Sequence, residues 1–129
     1  MDREQAIKLI QDLLRRVCER KASDLFITAG FPPAVKVDGE IWPQTERALT
    51  GEQSATLVRA LMNDRQSKEF DATKECNFAI APPGIGRFRV SAFVQQGQVG
   101  CVIRLINPTI PSFEELDLPT VLKDVVLSK

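Results

Sequence analysis

The sequence predicts a single α+β domain, in which an antiparallel sheet of five or six strands carries helices mainly on one face. Three observations support this fold class. Apolar residues recur at helical spacing between residues 3 and 20. Asp38-Gly39 lies between two short β-rich runs and is typical of a tight hairpin turn. Gly86–Phe93 alternates apolar with polar residues, as expected for a strand with one buried face. A chain of 129 residues fits one domain.

The first half of the chain predicts one helix and then three strands. In the helix, Ile7, Ile10, Leu14 and Val17 form an apolar stripe that packs on the domain. The predicted strands are Leu25–Thr28, Ala34–Val37 and Glu40–Trp42. A turn at Gly30–Pro33 separates the first two, because proline fixes its own φ and restricts the residue before it.

Helix caps predict the remaining helices. Thr50 and Gln53 form a capping box that opens one helix, and Asn63-Asp64 caps the next, which runs through Phe70. The charge-rich segment from 65 to 74 is interpreted as a solvated helix face. Glu75–Ala81 alternates and predicts a strand. A second capping box, Ser112–Glu115, precedes a last short helix that buries residues between 121 and 126.

Three arginines are predicted to share one face of the hairpin that follows. With the turn centred on Gly97-Gln98, the expected cross-strand pairs are Phe93–Val102, Ser91–Arg104 and Arg89–Ile106. Arg89, Ser91 and Arg104 then lie together, with Arg87 on the same side further out. A slip of one residue would move Arg104 to the other face.

Such a cluster is suited to phosphate oxygens, because the planar guanidinium offers paired donors and stays charged. The residues alone leave a second interpretation open, and it is the commoner one: the arginines pair with acidic side chains, for which Glu69, Asp71 and Glu75 are available.

Composition excludes several other kinds of function. The chain has 17 basic and 17 acidic residues, which does not suit a protein whose whole surface binds nucleic acid. It has no histidine, and its three cysteines show no metal-ligand spacing, so we expect reduced thiols, no metal site and no catalytic residue. No GxxxxGK[ST] loop is present, and we expect no hydrolysis by this chain alone. The charged N-terminal residues do not predict a signal peptide, and no apolar run is long enough for a bilayer.

Several separate motifs resemble one family. Ala22–Leu25, Pro32-Pro33, Val37–Glu40 and Gly86–Phe93 occur in the order and spacing found in the N-terminal domain of type IV pilus retraction ATPases, the PilT/PilU twitching-motility motors. These are relatives of the type II secretion ATPases. The resemblance covers nearly the whole chain.

The resemblance implies a PAS-like domain that precedes a RecA-like ATPase core in a hexamer at the cytoplasmic face of the inner membrane. ATP binds in the cleft between the two domains, with Mg²⁺ held by the core, and N-terminal-domain arginines reach the phosphates. By motif position these arginines are Arg89 and Arg104, with Arg87 third. The implied partners are the chain's own core domain, further copies, a paralogous retraction ATPase and the inner-membrane pilus platform.

Two positions depart from the family pattern. Phe26 stands where many relatives have histidine, and Gly97 stands where typical retraction ATPases carry a loop arginine, which removes one phosphate contact. The loop is more similar to the PilU-type paralogue than to PilT. The family's Walker A loop is expected shortly after Lys129, so the chain, residues 1–129, is expected to be one domain of a longer protein.

The function predicted from the sequence is therefore nucleotide sensing within a motor, with arginines on ATP phosphates coupling nucleotide state to domain motion. Two alternatives stay open. A free-standing PAS-like ligand sensor would need an internal cavity with convergent polar groups. A pure oligomerisation module would use the arginines to pair with acids on a neighbouring subunit.

Overall fold

The protein, represented by a computed structural model, is described over residues 2–108. Within that range the chain forms three helices and six strands. The helices are α1 (Arg3–Glu19), α2 (Gly51–Ala60) and α3 (Asp64–Thr73). The strands are β1 (Asp24–Ile27), β2 (Ala34–Val37), β3 (Glu40–Pro43), β4 (Glu75–Ile80), β5 (Gly86–Gln95) and β6 (Gln98–Pro108). The predicted α+β class is confirmed. The predicted capping box at Ser112 and the last helix lie outside the described residues.

All three helices begin with a capping box. The side chains of Asp2, Thr50 and Asn63 each accept from the backbone N–H three residues on, and a glutamine there reaches back to the cap. These exchanges satisfy donors that the first helical turn would otherwise leave unpaired. The predictions at Thr50 and Asn63 are confirmed. No helix in the described range is long and apolar enough to cross a membrane.

The six strands form one antiparallel sheet in the order β3-β2-β1-β6-β5-β4. The last hairpin therefore enters the sheet beside the first strand of the chain, and β1 pairs with β6. Asp38 and Gly39 adopt positive φ angles of 52° and 82°, which confirms the predicted turn between β2 and β3.

One face of the sheet packs against the helices and forms the core. Alternate residues along the central strands point into it, among them Leu25, Val90 and Ile103, each with 0% exposure. They contact the apolar sides of α1 and α2, where Leu13 and Leu57 are also fully buried. We call the opposite side of the sheet the outer face. The intervening residues of each strand lie there.

The register of the β5–β6 hairpin differs from the predicted one. Arg89 pairs with Arg104, Ser91 with Val102 and Phe93 with Gly100. The predicted pairs Phe93–Val102, Ser91–Arg104 and Arg89–Ile106 are wrong by two residues, because the turn is centred on Gln96-Gly97. These two residues have φ angles of 53° and 78°, as a type I′ turn requires, and the second position of such a turn favours glycine. A shift of two preserves the faces, so the predicted sharing of one face is confirmed.

Candidate functional site

A row of charged residues crosses the outer face at right angles to the strands. Asp24 on β1 lies opposite Lys36 on β2 and opposite Arg104 on β6, and Arg104 lies opposite Arg89 on β5. We call Lys36, Asp24, Arg104 and Arg89 the charged row. Each comes from a different strand, and the row contains three cations and one carboxylate.

Asp24 and Arg104 form an ion pair in the middle of the row. The Arg104 Nε donates to Asp24 Oδ1 at 3.2 Å, and the Ser23 hydroxyl donates to Asp24 Oδ2 at 2.8 Å. The Asp24 side chain is only 8% exposed, whereas that of Arg104 is 73% exposed. The carboxylate thus lies beneath its neighbours, and the guanidinium extends into solvent.

Arg89 and Arg87 are exposed on the same strand. Within residues 2–108 neither forms a salt bridge. Arg87 lies opposite Asn107, beyond a bulge in β6 that separates this pair from Phe88–Leu105. Arg87 is therefore further from Arg104 than Arg89 is, as the sequence predicted.

The acid that contacts this row is not one of the three that the sequence suggested. Asp71 pairs with Arg59, between α2 and α3, at 2.6 Å. In the described part of the chain, Glu69 and Glu75 take part in no salt bridge. The acid that does so is Asp24, which the pairing of β1 with β6 brings opposite Arg104.

The electrostatics of the row favour an anion. Like charges directly opposite each other across two strands are unfavourable, and Asp24 offsets only one of the three cations. The Arg104 side chain is 73% exposed, and Arg89 is exposed on the same face of the sheet. Two adjacent guanidinium groups can make paired, charge-assisted hydrogen bonds with phosphate or carboxylate oxygens. A Mg²⁺ ion, which prefers oxygen ligands, is not suited to this set.

An apolar groove lies beside the charged row on the outer face. It has a volume of about 300 Å³, and its lining residues are Phe26, Thr28, Phe31, Pro32, Ala34, Ile41 and Pro43. Two of these side chains are unusually open, since Phe31 is 65% exposed and Ile41 53%. The outer face thus combines an apolar part near β2 and β3 with a cationic part near β5 and β6.

The interior does not resemble a ligand cavity. Among the described residues, the buried polar or charged side chains are Asp24 and Ser54. Ser54 donates its hydroxyl to the Val99 carbonyl, so its polar group is already satisfied. An interior binding site would need several convergent polar groups, and this core does not supply them.

Two of the three free cysteines, Cys76 and Cys101, are buried, and Cys18 is partly buried. Burial raises the pKa of Cys101 from its ordinary value of 9.0 to about 12. Burial is also the main cause of the raised pKa of Cys18 and of Cys76. No cluster of potential metal ligands occurs in the region from 2 to 108.

Comparison with known proteins identifies the class first. No family model matches the chain. In fold it is similar to a crystal structure of the pilus retraction motor PilT with bound ADP, with a TM-score of 0.70 and 31% identity over 84% of this chain and 32% of that one. A structure of the ATPase DotB from Legionella pneumophila has the same fold, with a TM-score of 0.62. The fold is that of the N-terminal domain of the pilus retraction ATPase PilT.

Sequence comparison narrows the class to the type IV pilus ATPases. The chain is 50% identical over 119 residues to the type IV pilus ATPase PilU of Pseudomonas aeruginosa, covering 92% of this chain and 31% of that protein. It is 38% identical over 116 residues to PilT of the same organism, covering 90% and 34%. The chain thus spans about a third of the length of these relatives. The resemblance to the N-terminal domain of type IV pilus retraction ATPases, and to PilU more than PilT, is confirmed.

Proposed function

We propose that the chain is the N-terminal domain of a longer pilus retraction ATPase and that its outer face contributes to the ATP site. Arg89 and Arg104, with Arg87 at the edge, would contact ATP phosphates in the cleft between this domain and a RecA-like core. The observation that carries the proposal is the direct pairing of Arg89 with Arg104 in the β5–β6 ladder, because two exposed cations opposite each other are stabilised by a shared anion.

The rest of the outer face supports an interdomain location. The apolar groove around Phe31 and Ile41 lies on the same side of the sheet as the arginines. An exposed apolar surface of this kind is suited to packing against another domain. A domain seated there would exclude water from the row, where charge-assisted hydrogen bonds become stronger. Nucleotide state could then change the angle between the domains.

In this proposal, Mg²⁺ binding and ATP hydrolysis are functions of the core domain. The chain has no phosphate-binding loop, and the charged row fits phosphate oxygens rather than Mg²⁺. The core would hold the Mg²⁺ and bind most of the nucleotide. This domain would add positive charge where the β- and γ-phosphates lie. The whole protein would act as a hexamer in the cytoplasm, at the inner-membrane pilus platform and beside a paralogous ATPase.

Separate Arg89→Ala and Arg104→Ala substitutions in the full-length protein test this function. A hydrogen bond to a charged group contributes roughly 1.5–3 kcal/mol, so each loss should lower kcat/KM for ATP by about 10- to 100-fold. Arg15→Ala is the matched control, because Arg15 also forms a 3.2 Å pair with an aspartate but lies on α1. Undiminished ATPase activity and pilus retraction in both arginine variants would exclude the proposal.

The oligomerisation alternative gives a different result in the same protein. If Arg104 paired with an acid on a neighbouring subunit, Arg104→Glu would break the oligomer and leave ATP affinity unchanged. If the arginines contact phosphate, the same change would lower ATP affinity in assembled protein. Light scattering together with nucleotide titration separates the two functions.

A further inference from the structure

Asp24 is an unusual residue for its position in the sheet. It begins β1, whose next three residues are Leu25, Phe26 and Ile27, and it lies on the outer face, yet its side chain is only 8% exposed. Removing an ionised carboxylate from water is unfavourable unless hydrogen bonds and an opposite charge compensate. Both compensations are present, from the Ser23 hydroxyl and from Arg104.

The Arg104 atom that contacts Asp24 determines what the rest of the guanidinium can do. The hydrogen bond is made by Nε, the nitrogen closest to the backbone. Arginine has five N–H donors in a fixed plane, and the four on the terminal amino groups remain for another acceptor. Because the Arg104 side chain is 73% exposed, those groups lie on the solvent side of the sheet.

Asp24 also separates the cations of the charged row. Lys36 is its strand partner on one side and Arg104 on the other, so Asp24 occupies the position between two cationic residues. Its other oxygen, Oδ2, accepts a hydrogen bond from the Ser23 hydroxyl rather than from a second cation. The carboxylate thus holds the guanidinium of Arg104 at one edge only, through Nε, while the neighbouring strand β5 carries Arg89 opposite Arg104.

We propose that Asp24 is a positioning residue that holds Arg104 through Nε, so that its terminal amino groups and Arg89 bind the same phosphate group. This inference rests on the proposed function, because it takes the anion to be a nucleotide phosphate. It adds a role for a residue that does not touch the nucleotide itself. Ser23 supports the role by fixing the other carboxylate oxygen.

The test is a double-mutant cycle in the full-length protein, with ATP and AMP as probes. Asp24→Ala should weaken ATP binding by about tenfold, the lower end of what one charge-assisted hydrogen bond provides. AMP lacks the outer phosphates, so AMP affinity should stay unchanged. In the Arg104→Ala background, Asp24→Ala should cause no further loss of ATP affinity, because it acts only through Arg104.

Two further variants keep the test informative if Asp24→Ala folds poorly. Asp24→Asn keeps an oxygen for the Nε hydrogen bond, so it should lose less ATP affinity than Asp24→Ala. Ser23→Ala removes the hydroxyl contact and should cause a smaller loss in the same direction. Asp12→Ala is the matched control, since Asp12 pairs with Arg15 at the same 3.2 Å on an exposed helix and should leave ATP binding unchanged.

The outcomes separate this inference from the proposed function. If Arg104→Ala weakens ATP binding but Asp24→Ala does not, the positioning role is overturned and the proposed function stands. Equal loss of ATP and AMP affinity, or additive losses in the double variant, would also overturn it, because a merely structural role predicts both. If neither Arg89→Ala nor Arg104→Ala affects ATP binding, both proposals fail.

Discussion

Arg89 and Arg104 lie directly opposite each other in the β5–β6 ladder, but only Arg104 has a carboxylate partner in the described structure. The two side chains carry the same charge on the same face, so their repulsion lowers the stability of the folded state. Asp24 relieves this repulsion for Arg104 alone. The two arginines should therefore differ in their effect on folding, even though they have the same proposed role toward phosphate.

Substitution of these arginines should change stability in opposite directions. Arg89→Thr removes an uncompensated charge and introduces a good strand residue, so we expect the free energy of unfolding to rise by about 0.5 kcal/mol at low salt. Arg104→Thr leaves the buried Asp24 carboxylate without its cation and should lower that free energy by about 1 kcal/mol or more. Urea denaturation of the chain measures both.

The salt dependence gives the control for this pair. Screening at 1 M NaCl should remove most of the gain from Arg89→Thr, because the repulsion acts across solvent. The loss from Arg104→Thr should persist, since Asp24 is buried. Changes of the same sign in both variants would contradict the assignment of Asp24 to Arg104.

A side chain at Gly100 should destabilise the fold, whereas one at Gly51 should not. A Cβ at Gly100 would lie 3.0 Å from the Ile27 carbonyl oxygen and 3.2 Å from the Phe93 ring. The carbonyl belongs to the β1 backbone and cannot move freely, so Gly100→Ala should destabilise the fold by about 1–3 kcal/mol.

Gly51→Ala is the matched control for this steric argument. A Cβ at Gly51 would meet only the side-chain amide of Gln98, which is exposed and can rotate away. Alanine also favours the helix that starts there, so the change should be neutral or stabilising by up to about 1 kcal/mol. Thermal unfolding of both variants provides the measurement. Equal losses would show that the close approach of β1 and β6 at Gly100 is not rigid.

Ser54 should contribute to stability through its buried hydroxyl. It connects α2 to the Val99 carbonyl of β6 and is fully buried. Ser54→Ala would leave that carbonyl without this donor, and we expect a loss of about 1–2 kcal/mol in the free energy of unfolding.

Thr56→Ala is the control for the same helix. Its hydroxyl donates to the Glu52 carbonyl one turn earlier, at a partly exposed position. Alanine has the higher helix propensity, so this variant should be neutral or slightly stabilising. A Ser54→Ala protein as stable as Thr56→Ala would contradict a structural role for the Ser54–Val99 bond.

Cys101 should make the fold sensitive to alkaline pH. Burial raises its pKa to about 12 in the folded protein, while the unfolded thiol ionises near 9.0. The folded state therefore favours the protonated thiol, and this contribution to stability is present below pH 9 and is lost as the pH rises toward 12. From pH 8 to pH 10 the wild-type chain should lose about 1 kcal/mol more than Cys101→Ala.

Urea denaturation under reducing conditions at the two pH values tests this difference. The cavity created by Cys101→Ala lowers stability at both pH values and cancels in the comparison. Cys18 and Cys76 remain in both proteins, so their own raised pKa values also cancel. An identical pH dependence in the two proteins would show that the Cys101 thiol ionises without unfolding.

Local patterns were sufficient to predict most of the fold. The caps at Thr50 and Asn63, the Asp38-Gly39 turn and the alternation along β5 each depend on residues close together in the chain. Alternation also fixed which arginines share a face. It could not fix the register, because turns centred one residue apart give the same faces.

The sequence could not reveal the partner of Arg104. Asp24 reaches it through the pairing of β1 with β6, and no local pattern encodes which distant strand becomes a neighbour. The acids suggested from the sequence were near β4 and α3, whereas the acid found is on the other side of β6. The missing information was strand order, which depends on packing of the whole sheet.

The charged row has a consequence for how such domains can diverge. Its four members come from four strands, one residue from each, so no continuous stretch of sequence contains the site. Loops between the strands can lengthen or shorten without disturbing it. A single insertion within any one strand would instead turn that strand's contribution toward the core. Relatives that keep this site should therefore vary freely in loop length while preserving residue parity within β1, β2, β5 and β6.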